Sequence, residues 1–223
     1  MLKDEAICIR LMEWSETSQI TVLLTEHHGR VSATAKGARR QNPSTLQRFS
    51  GGVELLTRAE AMLIVKPTAE LANLTEYDLI DAHWHLRSNL DAFGLAMYAA
   101  DVLYHLLHDR DPHPRSYRAL RAFLADLADR QQQQHALLRL HWEIIDDMGY
   151  RPALDRDVET GEPLHDHAHT HAFSAAAGGT VADTGAPDRW RVRRETVHLL
   201  REVAAGKPIT HHAADAQHSA DGS

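Results

Sequence analysis

A short basic stretch is the part of this sequence whose residue types point most directly to a chemistry. Lys36-Gly37-Ala38-Arg39-Arg40 places three cations among five residues, and Arg30 and Arg48 lie on either side of it. Lysine and arginine neutralise phosphate oxygens, so a cluster of them on an exposed edge can bind a nucleic-acid backbone without reading its bases. A solvated turn with incidental charge gives the same pattern, because short basic runs have low specificity.

A histidine-rich run is the second candidate for chemistry. Its members lie within seven residues: His165, Asp166, His167, His169 and His171. In an extended segment the alternate histidines project to one side, and imidazole suits zinc, nickel or copper. The chain holds 17 histidines in all, so the run also fits a solvated loop in a histidine-rich protein. We predict that no metal and no other cofactor binds, and a metal-dependent hydrolase built on this run is the alternative.

Other catalytic signatures are missing from the sequence. It has no glycine-rich phosphate loop, no HExxH motif and no nucleophile elbow. Asp146 and Asp147 form a carboxylate pair, but neighbours on a helix point in different directions and do not share a substrate. We therefore predict that the protein is not an enzyme.

The composition is that of an ordinary globular protein, with 43% hydrophobic and 25% charged residues. A net charge of −7 argues against nucleic-acid binding over the whole surface, although a local basic patch still attracts phosphates. No apolar run is long enough to span a bilayer, and residues 1–10 lack the pattern of a signal peptide. With Cys8 as its single cysteine, expected to be buried, the protein is expected in the cytoplasm without membrane association.

The first eighty residues predict β-strands separated by turns. Apolar or alternating β-branched residues mark five strands, at 6–11, 20–25, 31–36, 53–55 and 62–65. His28-Gly29 indicates a hairpin between the second and third strands, with Gly29 taking a positive φ. Five short strands in so few residues predict a closed barrel, because a small open sheet would leave exposed edges. The basic stretch then lies where the third strand ends.

From about Leu79 the apolar period becomes helical. Helices are predicted to begin at the capping box Ser88-Asn89-Leu90-Asp91 and at Asp111-Pro112, to cover His135 to Met148, and to resume over Arg189 to Ala205. Between the last two, residues 151–187 have little periodicity and fit either an ordered loop module or a flexible excursion. We predict a barrel domain (1–78), a helical domain (79–205) and a disordered tail (206–223).

Four tryptophans remain to be placed. Trp84, Trp142 and Trp190 lie in helical patterns and are expected in the core. Trp14 precedes Ser15-Glu16-Thr17-Ser18, which predicts a loop on the barrel rim. Stacking on a nucleobase is one use for this side chain, and partial burial against the helical domain is the favoured one.

Several blocks, in order along the chain, resemble the RecO family. Lys36-Gly37-Ala38-Arg39-Arg40 is similar to the KGARR signature that closes the family's third barrel strand. The likeness extends to residues 20–25, 28–32, 46–49 and, more loosely, 53–56. Residues 148–156 resemble the family's LGYRPELD stretch, and residues 173–181 resemble its FSPxxGGxxC stretch.

The resemblance implies an α+β fold, in which an N-terminal OB-fold barrel precedes an α-helical domain. It also implies binding and annealing of single- and double-stranded DNA. Family members load RecA with RecR, and they contact the acidic C-terminal tail of single-stranded DNA-binding protein. On this basis Lys36, Arg39 and Arg40 are the first candidates for phosphate contacts, with Arg30 and Arg48 in support. The helical face formed by residues 88–148 is the expected surface for protein partners.

The chain departs from the family in its zinc module, which normally carries two Cys-x-x-Cys pairs. Asp157 and Thr160 stand at the first pair, and Ala182 and Gly185 stand at the second. The resemblance therefore implies a degenerate zinc-finger-like module without its metal. The final bundle helices of the family, after about Ala205, are expected to be absent or replaced by the tail.

Two readings of the function follow from these observations. The first is a non-enzymatic DNA-binding mediator of recombinational repair in the RecF pathway. The second is a protein on the same scaffold that acts mainly as an adaptor for protein partners. The acidic second half of the chain and the absence of further cations between Arg40 and Arg48 motivate the adaptor interpretation.

Overall fold

The computed structural model describes residues 1–40, 42–49, 52–66, 68–164 and 170–207. The chain forms two compact units, the first comprising residues 1–150 and the second beginning at Arg151. The predicted tail beyond residue 207 and most of the histidine run, residues 165–169, lie outside the described residues. In the described part of the chain, no helix has the length and apolar character needed to cross a membrane.

The first unit begins with a closed five-stranded barrel. Its strands are β1 (Leu2–Glu13), β2 (Gln19–Thr25), β3 (Gly29–Ala35), β4 (Arg58–Ile64) and β5 (Ala72–Asp81). The strand order around the barrel is β1-β2-β3-β5-β4, antiparallel throughout except for the parallel pair β3–β5. This closed five-stranded barrel confirms the OB-like fold predicted from the sequence. Closure leaves no strand edge of the barrel exposed.

Three helices of the same unit follow a short 3-10 helix (Trp84–Ser88). They are α2 (Leu90–Leu106), α3 (Pro114–Asp126) and α4 (Gln133–Asp147), and the short α1 (Pro43–Phe49) lies earlier, between β3 and β4. The N-cap of α2 is Asn89, one residue after the Ser88 that the capping-box pattern predicts. The Asn89 side chain accepts from the Ala92 backbone N–H at 3.2 Å, and the Ser88 hydroxyl donates to the His85 carbonyl instead. The second predicted start was two residues early, because His113 is the N-cap of α3 and Pro114 its first residue.

The middle of β1, residues 6–9, and most of β2 are buried on both faces. Cys8 and Leu23 point into the barrel, where they pack with Phe49 and Tyr77. Ile7, Ile9, Val22 and Leu24 instead join the core formed by the helices, together with residues such as Leu103, Tyr117 and Leu120. The apolar run over residues 6–9 therefore serves two cores, and the helices cover one outer face of the barrel.

Polar contacts also join the barrel to the helices. The Glu5 carboxylate on β1 accepts from the Tyr117 hydroxyl at 2.6 Å and from Arg58 Nη1 at 2.9 Å. Burial first, and then the hydrogen bond to Glu5, raise the pKa of the Tyr117 hydroxyl far above its usual range, so this hydroxyl remains a donor.

One predicted strand of the barrel was wrong, and one observed strand was not predicted. Residues 53–55 form no strand, because Leu55 and Leu56 lie in a turn and Leu56 has a positive φ of 63°. The fifth strand is β5, which the sequence did not predict. It begins after the turn signal near Pro67, and its buried and exposed residues do not alternate regularly enough to give a period-two pattern. Cys8 is fully buried as predicted.

The second unit contains a small antiparallel sheet, β7-β6-β8, and one helix. Its elements are β6 (Thr170–Ser174), β7 (Gly179–Val181), β8 (Trp190–Arg193) and α5 (Arg194–Ala204). The predicted helix from Arg189 was therefore wrong at its start. Trp190 pairs with Phe173 across strands, and its side chain is 57% exposed.

A buried carboxylate organises the first turn of the second unit. Asp157 Oδ1 accepts from the backbone N–H groups of Glu159 at 2.8 Å and Thr160 at 3.0 Å, and the Ala182 backbone N–H also donates to this side chain. These backbone donors, led by Thr160, hold the pKa of the Asp157 carboxyl below its usual range. One side chain therefore links residues 157–160 to the segment after β7.

Arg189 joins the same two segments from the other side. Its Nη2 donates to both carboxylate oxygens of Glu159, each at 2.8 Å, and its Nη1 donates to the Ala182 carbonyl at 2.6 Å. The Arg189 side chain is 11% exposed, so this contact is partly shielded from water. A planar guanidinium is suited to such a two-sided contact.

The tight turn between β2 and β3 gives a test of the first unit. Gly29 has a φ of +70°, and a Cβ at this position would lie 2.1 Å from the Asp111 carbonyl oxygen. We expect Gly29→Ala to lower the free energy of unfolding by about 3 kcal/mol or more, since it adds a backbone clash to the strain of a positive φ. Chemical denaturation of the full chain measures this loss.

Gly149→Ala is the matched control, because Gly149 has a φ of +80° and its Cβ would meet no atom within 4 Å. It carries the conformational strain alone, about 1 kcal/mol. Equal losses for the two variants would contradict the close approach of Gly29 to Asp111.

Asp157 gives a test of the second unit. Asp157→Ala removes the shared acceptor, so we expect faster amide hydrogen exchange at Glu159, Thr160 and Ala182. Since folding lowers the pKa of this carboxyl, its stabilising effect is present above the unfolded-state pKa of about 3.9. It is lost as the pH falls through the lower, folded pKa. Asp155→Ala is the control, because that side chain is exposed and pairs with Arg201 at 3.4 Å; identical exchange in both variants would refute the role of Asp157.

Candidate nucleic-acid interface

The basic stretch forms an exposed turn directly after β3. Residues 36–39 make the turn, and the side chains of Lys36, Arg39 and Arg40 are exposed. Gly37 has a φ of +73°, and the Arg40 backbone N–H donates to the Gly37 carbonyl at 3.0 Å. The glycine allows this tight reversal because it has no Cβ to oppose a positive φ. The turn thus presents three cations at one end of the barrel.

A second turn holds the basic turn in place. It joins β1 to β2 through residues 14–18, and its Thr17 carbonyl accepts from the Arg39 backbone N–H at 3.2 Å. The Ser18 hydroxyl accepts from the Gly37 backbone N–H at 3.2 Å. Since both bonds involve backbone N–H groups, they fix the backbone of the basic turn without engaging its cationic side chains.

Glu13 is a neighbour of the basic turn that the sequence analysis did not identify. Its Oε1 lies 3.0 Å from Arg39 Nη1, and the two side chains are 80% and 40% exposed. An exposed ion pair of this kind contributes little stability and is easily exchanged for another anion. No sequence signal marks the pair, because β1 and the basic turn are far apart along the chain.

Arg30 is engaged by the helical part of the first unit. Its Nε donates to Asp109 Oδ1 at 2.7 Å, its Nη1 donates to the Tyr104 carbonyl, and its side chain is 17% exposed. The guanidinium also lies over the Tyr104 ring, 4.8 Å from the ring centre, and Arg10 lies over the same ring at 4.4 Å. This geometry makes Arg30 a link from β3 to the end of α2 and to the segment that follows it.

Arg48 lies on α1, apart from the turn itself. Its Nε donates to the Thr75 carbonyl on β5 at 3.0 Å, and its guanidinium is 5.0 Å from the centre of the Phe49 ring. The side chain is exposed, so its remaining donors face solvent. The predicted cations therefore divide into an exposed cluster at residues 36–40, an anchored but exposed Arg48 and an internally bonded Arg30.

Three of the four tryptophans differ from their predicted places. Trp142 is buried as predicted, whereas Trp84 and Trp190 are mostly exposed. Trp14 is 67% exposed, and burial against the helices was the favoured prediction, so that prediction was also wrong. Local apolar spacing predicts α-helices around Trp84 and Trp190, but Trp84 lies in a short 3-10 helix and Trp190 in an outer strand of a small sheet.

The residues at the family's zinc positions do not fit a zinc site. The Asp157 carboxylate accepts hydrogen bonds from backbone N–H groups, and Ala182 and Gly185 have no side chain that can bind a metal. Thr160 offers only a hydroxyl in place of a thiolate. Over the described ranges, no three His, Cys, Asp or Glu side chains are grouped to hold a metal ion. His171 lies on β6, and the rest of the histidine run is outside the description.

Known proteins match this chain over both of its parts. Residues 1–83 match the family described as Recombination protein O N terminal, and residues 87–218 match Recombination protein O C terminal. The DNA repair protein RecO of Rhodopirellula baltica is 30% identical over 203 residues, which cover 90% of this chain and 74% of the relative. That of Geobacter sulfurreducens is 30% identical over 204 residues, covering 89% and 79%.

A more distant relative, the DNA repair protein RecO of Myxococcus xanthus, is 26% identical over 180 residues, which cover 78% of this chain and 72% of the relative. The matches include the five-stranded barrel, the helices that cover it and the basic turn at its end. The chain belongs to the RecO family.

Proposed function

We propose that this chain acts in DNA repair as a non-enzymatic mediator that binds DNA through the basic turn. The observation that carries the proposal is the exposure of Lys36, Arg39 and Arg40 on a backbone fixed by hydrogen bonds from the neighbouring turn. Cations held in this way neutralise phosphates at little conformational cost, and they do so on any sequence. The relatives that carry the name DNA repair protein RecO support the repair role.

The finer role proposed is annealing of complementary strands and loading of RecA together with RecR. The proposed partners are single- and double-stranded DNA, RecR and the acidic tail of single-stranded DNA-binding protein. Lys36, Arg39 and Arg40 are the proposed phosphate contacts, and Arg48 supports them from α1. Arg30 was also a candidate, and we now assign it mainly to the joint with Tyr104 and Asp109, because its guanidinium is already bonded there.

Removing the three exposed cations tests the interface. We expect the Lys36→Ala, Arg39→Ala, Arg40→Ala triple variant to bind single-stranded DNA more weakly at near-physiological salt, whatever the sequence. The slope of log affinity against log salt should fall in magnitude by about 2, since each lost contact with a single strand removes about 0.7. Fluorescence anisotropy titrations over a range of salt concentrations measure both quantities.

The control is a triple variant that removes three exposed cations from the helical part: Arg118→Ala, Arg130→Ala and Arg139→Ala. It lowers the net charge of the protein by the same amount but leaves the basic turn intact. An unchanged salt slope in the first triple variant, or equal losses in both, would refute the assigned interface. A parent protein that fails to bind DNA at this salt would favour the adaptor function instead.

Glu13 gives an opposite prediction, because it is the intramolecular partner of Arg39. Glu13→Gln frees the guanidinium, and we expect DNA affinity to rise by about two- to fivefold, the equivalent of an exposed ion pair. Glu16→Gln is the control, because it removes one charge from the turn of residues 14–18 without changing the Arg39–Glu13 pair. If the two variants gain equally in the same titration, the pair does not compete with DNA.

A further inference from the structure

An exposed tryptophan lies at the end of β1, beside the basic turn. Trp14 is 67% exposed, although tryptophan has the largest apolar side chain and usually buries most of it. It follows Glu13, the partner of Arg39, directly in the chain. Neither the phosphate contacts proposed above nor the packing of the barrel uses this ring.

The backbone under Trp14 is fixed. The Trp14 and Ser15 backbone N–H groups both donate to the Ser18 carbonyl, at 3.2 and 3.1 Å, and the Ser18 N–H donates to the Ser15 hydroxyl at 3.1 Å. These bonds close the turn into a compact loop. A ligand that meets the ring therefore does not have to order the segment that carries it.

The turn that carries Trp14 is bonded to the turn that carries the cations. Thr17 and Ser18 accept from the backbone N–H groups of Arg39 and Gly37, each at 3.2 Å. The ring and the cationic side chains are thus presented by two adjacent turns at the same end of the barrel. Cations beside an exposed aromatic ring are the combination that binds a strand with unpaired bases.

Exposure alone does not make such a platform, as a second tryptophan shows. Trp84 is equally exposed at 67%, but the Arg87 guanidinium lies over its ring at 4.2 Å from the centre. Arg87 is in turn bonded to the Glu54 carboxylate. One face of Trp84 is therefore occupied by the protein itself, and Glu54 balances the charge of Arg87.

We propose that Trp14 is a base-stacking platform that gives the basic turn a preference for single-stranded over duplex DNA. The phosphates of a strand bind Lys36, Arg39 and Arg40, while one of its bases stacks on the indole ring. In a duplex the base faces are already stacked on one another, so only the phosphate contacts remain. This inference rests on the proposed function, because it needs the strand to lie along the basic turn.

The test compares two probes of equal length, an oligothymidylate and an abasic oligonucleotide that has the same phosphates but no bases. We expect Trp14→Ala to weaken oligothymidylate binding by about five- to 150-fold. Affinity for the abasic strand and the salt dependence of binding should stay as in the parent, since no cation is lost. Trp14→Phe should keep most of the affinity, and Trp84→Ala should keep all of it.

Equal losses on the two probes, or full affinity of Trp14→Ala for oligothymidylate, would overturn the stacking role. Trp14→Leu keeps apolar bulk without an aromatic face, and it replaces Trp14→Ala if the alanine variant melts at a lower temperature. Failure of the proposed interface is distinguishable from failure of stacking. If the interface itself is wrong, the triple alanine variant of Lys36, Arg39 and Arg40 binds the abasic strand as tightly as the parent protein does.

Discussion

Burial of the middle of β1 and of most of β2 on both faces is the constraint on which the rest of the first unit depends. A strand in a small barrel needs only an apolar inner face, and alternation with polar residues is then sufficient. Here Ile7 and Leu24 also point outwards and must be covered. The helices α2 to α4 provide that cover, so the outer face of these strands and the helices share a core that is separate from the barrel interior, and barrel and helices form one compact unit. The ends of the barrel strands remain outside this core.

Four arginines of the first unit differ according to that cover. Arg10 and Arg30 lie where the helices meet the barrel, and both contact the Tyr104 ring. Arg39 and Arg40 lie beyond the end of β3. Among the residues described, the only anion bonded to either of them is the exposed Glu13, which pairs with Arg39. Arginine therefore joins the helices to the barrel in one place and is exposed to an external anion in the other. Burial and local partners decide between these uses, because an arginine is charged at either position.

The second unit shows how a loop that resembles a metal module is held by other chemistry. Asp157 gathers backbone N–H groups from residues 159, 160 and 182, and Arg189 bridges Glu159 to the Ala182 carbonyl. The two segments are joined by one carboxylate and one guanidinium. Charge-assisted hydrogen bonds are directional and stronger than neutral ones, so a few of them can fix segments that have little apolar surface.

The sequence by itself determined the family, the strands β1 to β3, the hairpin at Gly29, the approximate helices and the basic turn. These features depend on neighbours in the chain: period-two or helical spacing, a glycine with positive φ, and cations within five residues. Only the tertiary structure decided that β5 closes the barrel, that Glu13 pairs with Arg39, that Arg30 is bonded to Asp109 and that Trp14 is exposed. Each of these depends on residues distant in sequence, and whether a charge or a ring is free is a property of the packing around it.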